Sequence, residues 1–214
     1  MANSKFHHEE IYRGKDLIAK LGTFNITICG VGALGSNLTD NLVRQGFSKL
    51  RVIDKDRVEI QNLNTQVYGE KDVGALKVAA LKNKVFRDVG VEVDDCNKEL
   101  TGSNVKSLLK GSGLVIDAFD NSASRKLIQD EIRARKLPCL HVGLYEDYGE
   151  VIWDENYKVP KDVEGDVCDY PLARNIIMLS VAVASEEILD FCLNKSPRKA
   201  SWSITLKDLA VRRI

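Results

Sequence analysis

Two rhythms of apolar residues alternate along this chain. Short apolar runs stand at 25–29 (NITIC), 50–54 (LRVID), 91–96, 114–119 (LVIDAF) and 138–144, and each has the length and abrupt polar ending of a buried strand. Between them apolar residues recur at helical spacing. Leu34, Leu38 and Leu42 form one such stripe, closed by Gly46, and further helices are predicted over 9–21, over about fifteen residues ending near 89, over 105–110 and over 123–136. Strands and helices alternate in this way through the first 145 residues, which predicts a parallel sheet wound on both faces. Beyond that point the rhythm changes. A strand is predicted at 150–154, then a charged loop at 155–170 carrying Pro160 and Gly165, a largely apolar helix at 172–192, and a closing antiparallel hairpin at 200–214 in which Trp202, Ile204 and Leu206 alternate.

Composition narrows the class without naming a function. A chain of 214 residues, 44% hydrophobic and 29% charged, is that of an ordinary soluble globular protein. Lys plus Arg equals Asp plus Glu at 31 each, so no overall field favours nucleic acid or an anionic membrane. The opening residues, MANSKFHHEE, lack the apolar centre of a secretory signal. The longest apolar stretch, 176–184, falls short of the roughly 20 residues of a membrane span. A cytoplasmic location is the expectation. Cysteines stand singly at 29, 96, 139, 168 and 192, with none of the close pairing that a disulfide framework or a paired zinc site needs. Cys29 and Cys139 lie in apolar runs and are expected in the core, as is His141; His7, His8 and His141 fit no metal-ligand spacing.

The first candidate site is ITICGVGALGSN. Here the first strand runs into Gly30-x-Gly32-x-x-Gly35 and then directly into a helix. Gly30 permits the tight turn, Gly32 lets backbone N–H groups approach a phosphate, and Gly35 lets the helix lie close. The helix N-terminus contributes partial positive charge. About 20 residues further on, the second strand ends in Asp54, the position of a ribose-binding acid. The fold class expected is therefore α/β: a Rossmann-like, mostly parallel sheet with helices on both faces, closed by C-terminal antiparallel strands. A single nucleotide-binding domain over 1–214 is expected, with an N-terminal helical segment at 1–24 and a crossover loop at 155–170.

Further motifs follow in order: Asp54-Lys55-Asp56, then Asn62-Leu63-Asn64-Thr65-Gln66, Gly74-Ala75-Leu76-Lys77, and Asp117-Ala118-Phe119-Asp120-Asn121 with Arg125 four residues on. Together with the glycine turn, this series resembles the ThiF/MoeB/HesA family, bacterial relatives of ubiquitin-activating enzymes, over roughly Gly30 to Arg125. The resemblance implies an adenylyltransferase that binds Mg-ATP. A C-terminal carboxylate, usually of a ubiquitin-like or sulfur-carrier protein ending in Gly-Gly, then attacks the α-phosphate and yields an acyl-adenylate and pyrophosphate. It implies a nucleotide site of Gly30, Gly32, Ala33, Leu34, Gly35, Asp54, Asp56, Asn62, Gln66, Lys77, Asp120, Asn121 and Arg125. Among these Asp54 and Asn62 would serve the ribose, Lys77 the phosphates and Asp120 the Mg²⁺. A homodimer is also implied.

The chain departs from the family pattern in three places. Thr65 stands where the family carries a phosphate-binding arginine. Arg13 is the candidate for the arginine that many relatives lend across a dimer. The zinc-binding cysteine pairs are absent, so no structural zinc is expected, and Cys168 is the candidate loop nucleophile. Read singly, Asp54 and Asp120 would cap helices, Lys77 would be a solvated lysine and Arg125 would pair with a surface acid. Two other classes fit part of the series. An NAD-dependent oxidoreductase would use the glycine turn and Asp54, and a non-catalytic nucleotide binder would keep the fold without the chemistry.

Overall fold

The computed structural model describes residues 4–161, 171–194 and 199–214. Two short helices open it, α1 (His7–Arg13) and α2 (Lys15–Leu21). The single helix expected over 9–21 is thus broken at Gly14, whose φ of 96° lies in the region that glycine adopts freely. Helical spacing continues on both sides of the break, which is why periodicity alone does not reveal it.

The α/β expectation is borne out. Strands β1 (Asn25–Cys29), β2 (Lys49–Asp54), β3 (Asp94–Asn97), β4 (Leu114–Asp117), β5 (Cys139–Tyr145), β6 (Tyr148–Trp153), β7 (Trp202–Thr205) and β8 (Ala210–Arg213) form one sheet in the order β3-β2-β1-β4-β5-β6-β7-β8. The pairings from β3 through to β5 are parallel. Those from β5 to β8 are antiparallel. Helices α3 (Ala33–Gln45), α4 (Lys77–Val89), α5 (Val105–Leu108), α6 (Ser122–Arg135) and α7 (Arg174–Leu193) cover the two faces. Successive residues of β1 show why both faces are apolar: Ile28 joins one core with Leu38, Leu42 and Ile177, while Cys29 joins the other with Ile128, Ile132 and Cys139. Cys29 and Cys139 are buried as expected.

One boundary moves. The strand expected at 91–96 is β3, Asp94–Asn97. Val91 and Val93 are buried in the core but precede the ladder, which begins where Asp94 aligns with Arg51. At this sheet edge the first pair is ionic, with Arg51 Nε 2.7 Å from Asp94 Oδ2.

The antiparallel half is anchored by α7. Glu187 on this helix is 1% exposed and accepts hydrogen bonds from Trp153 Nε1 at 3.1 Å, Trp202 Nε1 at 2.7 Å and the Ala200 N–H at 3.1 Å. Two strands and the segment leading to the second are thereby bound to one carboxylate. Among the described residues no helix is long and apolar enough to cross a membrane.

Candidate functional site

The strand order places a crevice at the carboxyl ends of β1 and its neighbours β2 and β4, where connections leave in opposite directions along the sheet. Gly30 occupies it with φ 88°, and its N–H donates to the Ile53 carbonyl at 2.8 Å. A Cβ there would lie 2.9 Å from the Ala118 carbonyl oxygen, and one on Gly35 would lie 1.9 Å from the Gly30 oxygen. Both positions therefore exclude a side chain. Gly32 differs: nothing stands within 4 Å of where its Cβ would be. Helix α3 opens from Gly32 without a side-chain cap among the described residues, so its first N–H groups have no acceptor from the helix itself or from a cap.

Asp54 braces this turn from beneath. It is 6% exposed, and its Oδ2 accepts from the Val31 N–H and its Oδ1 from the Asp56 N–H, each at 2.8 Å. Burial pushes its carboxyl above the usual range, against the opposing pull of these two bonds and of Lys77. Lys77 begins α4 with a buried stem, its Nζ 3.5 Å from Asp56 Oδ2. Asn62 turns the chain back on itself, its Oδ1 accepting from the Glu59 N–H at 3.0 Å. Gln66 is buried behind that turn, and among the described residues its Oε1 has no hydrogen-bond partner.

The segment carrying Asn62 and Gln66 is fastened along the first turns of α3. Asn37 Nδ2 donates to the carbonyls of Ala33 and Thr65 at 2.7 and 2.8 Å. Tyr68 donates its hydroxyl to the Val31 carbonyl at 2.8 Å. Thr65 itself brings no charge. Asp120 is exposed just beyond β4. The helix cap next to it is Asn121, whose Oδ1 accepts from the Ser124 N–H at 2.8 Å, while Asn121 Nδ2 lies 3.4 Å from Asp120 Oδ1.

Two predicted residues lie apart from this cluster. Arg125 is buried in α6, donating to the Tyr157 hydroxyl and the Val142 carbonyl at 2.8 Å each, with Asp117 Oδ2 3.7 Å away. Its guanidinium is directed into the protein and not at the mouth of the crevice. Arg13 pairs within its own chain, Nε with Glu9 at 2.7 Å and Nη2 with Glu186 at 2.5 Å. Cys168 lies outside the described residues.

A family model described as the ThiF family matches residues 7–163. The chain belongs to the ThiF family. Among its relatives are the sulfur carrier protein ThiS adenylyltransferase of Bacillus subtilis, 31% identical over 134 residues, which are 61% of this chain and 40% of the relative. Another is the SAMP-activating enzyme E1 of Haloferax volcanii, 33% identical over 135 residues, 61% of this chain and 49% of that protein. The chain thus spans somewhat under half the length of these curated relatives. The fold matches that of E. coli MccB crystallised with AMPCPP and MccA, at a TM-score of 0.84 and 16% identity, over 100% of this chain and 71% of that one.

Besides its motif residues, this ThiF-family chain builds the site from residues that sequence reasoning missed. Asn37 and Tyr68 clamp the glycine turn through side chains whose partners are distant in sequence. His141 is the expected core histidine, but it belongs to a network under the crevice. Its Nδ1 is 2.8 Å from Asp117 Oδ2, its Nε2 3.3 Å from Asp154 Oδ1, and its ring stacks on Tyr157 at 3.7 Å. Burial alone would lower its pKa; the bonds to the two carboxylates outweigh burial and raise it. Asp154, bound also by Arg133 and Gln129, is correspondingly held well below the carboxylate range despite its partial burial. The signal for the Asp117–His141 pair is register: the two residues are direct neighbours on β4 and β5.

Proposed function

We propose that this protein is an ATP-dependent adenylyltransferase that activates the C-terminal carboxylate of a ubiquitin-like or sulfur-carrier protein ending in Gly-Gly. The observation that carries this reading is the open face at Gly32. An uncapped helix N-terminus there adjoins a space with no atom within 4 Å of where a Gly32 Cβ would be, and Lys77 opens α4 with its Nζ 3.5 Å from Asp56 Oδ2 beyond β2. The buried Gln66 Oε1, without a partner among the described residues, supplies an acceptor for a donor such as a nucleotide hydroxyl or amine.

The chemistry needs no general base. The attacking carboxylate is already ionised, one of its oxygens bonds to the α-phosphorus, and the bond from that phosphorus to the bridging oxygen of pyrophosphate breaks. Pyrophosphate leaves with that electron pair. The protein's part is to align the two anions and offset their charge. First-turn N–H groups of α3, from Ala33 to Gly35, would face the phosphates, and Lys77 would add a point charge. Asp54 braces the turn and keeps acceptor capacity for a ribose hydroxyl. Mg²⁺ brought with the nucleotide would be held through the exposed Asp120 and would neutralise phosphate charge. A homodimer in the cytoplasm completes this reading.

Family membership and the relatives' names support adenylation over the oxidoreductase alternative, which rested on the glycine turn and Asp54 alone. The test is ATP–pyrophosphate exchange. Labelled pyrophosphate should enter ATP when a Gly-Gly-terminated carrier protein is present, and Lys77→Ala should reduce the rate by about 100-fold. Exchange with none of a panel of such carriers, at normal ATP affinity, would leave the nucleotide-binding reading standing and remove the enzymatic one.

A further inference from the structure

The crevice carries an excess of negative charge. Asp54, Asp56 and Asp120 all stand at the ends of β2 and β4, and Lys77 is already close to Asp56. Arg125 is buried and Arg13 is paired with two glutamates. A nucleoside triphosphate would add several more negative charges. The partial charge of one helix terminus and one lysine does not balance them.

Arg174 enters from a different part of the chain. It is the first residue of α7, and its Nη1 donates to the Asn64 carbonyl at 3.0 Å across 110 residues of sequence. Asn64 precedes Thr65, whose carbonyl is held by Asn37 on α3, so this guanidinium is seated on the segment that covers the opening turns of α3. Its position is fixed from behind. Leu172 bridges to Glu146, and the Ala173 N–H reaches the Glu146 carbonyl at 3.5 Å. The Arg174 side chain is exposed, and among the described residues it forms no ion pair. Among the described residues, its bond to a neutral carbonyl leaves the positive charge without a carboxylate partner and further N–H donors available.

We propose that Arg174 is the guanidinium that contacts the triphosphate of bound ATP, supplying from α7 the charge that Thr65 does not. The proposal rests on the ATP-binding part of the function above and specifies which residue completes it. The Arg174–Asn64 bond preorganises the side chain beside the phosphate-facing helix terminus, so little ordering remains to be done when the nucleotide arrives.

Equilibrium binding of Mg-ATP and of adenosine to the full chain tests it. Arg174→Ala should weaken ATP binding by about 10- to 100-fold, the loss of one charge-assisted contact. Adenosine affinity and melting temperature should stay unchanged. Arg174→Lys should fall between, because a point charge replaces a fork of donors. Wild-type ATP affinity in Arg174→Ala would overturn the proposal alone. So would an equal loss of ATP and adenosine, which marks a structural role, or a selective ATP loss seen instead on replacing Arg57 by Ala, an arginine after β2 whose Nη1 likewise donates to a carbonyl, that of Gly74, at 2.7 Å. Wild-type protein that binds no ATP would overturn the nucleotide site and this proposal together.

Discussion

Asp54 shows how one side chain serves both fold and chemistry. A carboxylate is acceptor-only, and Asp54 faces two backbone N–H donors, one in the glycine turn and one at the start of the loop toward Lys77. Replacing it with Asn turns an amide N–H₂ group toward one of those donors, so one bond becomes a clash of like partners. Asp54→Asn should cost about 1–3 kcal/mol in urea unfolding and weaken ATP binding because the Val31 end of the turn is released. Unchanged stability would show that the turn does not depend on this brace. The role of Asp54 as an acid near the glycine turn was legible from spacing. Its bond to Val31 was not, because backbone donors carry no sequence signature. Arg125 teaches the complementary lesson: its place in a motif says nothing of which way its guanidinium points, and burial against Tyr157 and Val142 decided that.

Among the elements, α7 depends most on a single group. Glu187→Ala would leave the two indole N–H groups of Trp153 and Trp202 and the Ala200 N–H without their acceptor. A loss of about 2–4 kcal/mol is expected in denaturant unfolding, with Glu187→Gln losing less because an acceptor oxygen remains. A change under about 0.5 kcal/mol would mean that water or a neighbour satisfies those donors. Most elements were readable because apolar runs and punctuating residues agree: β1, β2 and β4 are bounded runs, and Gly46 ends α3 as expected, in the left-handed region. Boundaries failed where a local backbone choice overrode periodicity. Gly14 split one helical pattern into two helices, and Val91 and Val93 are buried without belonging to a strand.

At the scale of the molecule, the Asp117–His141–Asp154 line joins β4 and β5 to the segment after β6, with Arg125, Arg133, Tyr157 and Glu150 as the charged or titratable neighbours. His141 bonds a carboxylate with each ring nitrogen, an arrangement that favours the imidazolium. Its pKa in the folded state lies above the unfolded value of about 6.5. The stability it contributes is therefore full below about pH 6.5 and is lost as pH rises through the folded pKa. Unfolding free energy measured from pH 6 to pH 9 should decline more steeply in the wild type than in His141→Gln. Parallel curves would remove His141 from the pH dependence. Contacts of this reach, like that of Arg174 with Asn64, join residues that no window of sequence holds together. That is why the site's motif residues were legible and its long-range fasteners were not.

The division of the sheet into a parallel and an antiparallel half also sets an order of assembly. Tyr145 and Tyr148 pair across a two-residue connection, and hairpins of this kind close within about 1–10 μs. Ile26 and Leu114 pair only after the whole intervening chain has been gathered in, so that closure bears a far larger entropic cost. In a full-length chain that refolds, the Tyr145–Tyr148 hairpin is therefore expected to form before Ile26 meets Leu114. The β1–β4 seam beneath the glycine turn is thus expected to close late, with its apolar edges open to aggregation until it does.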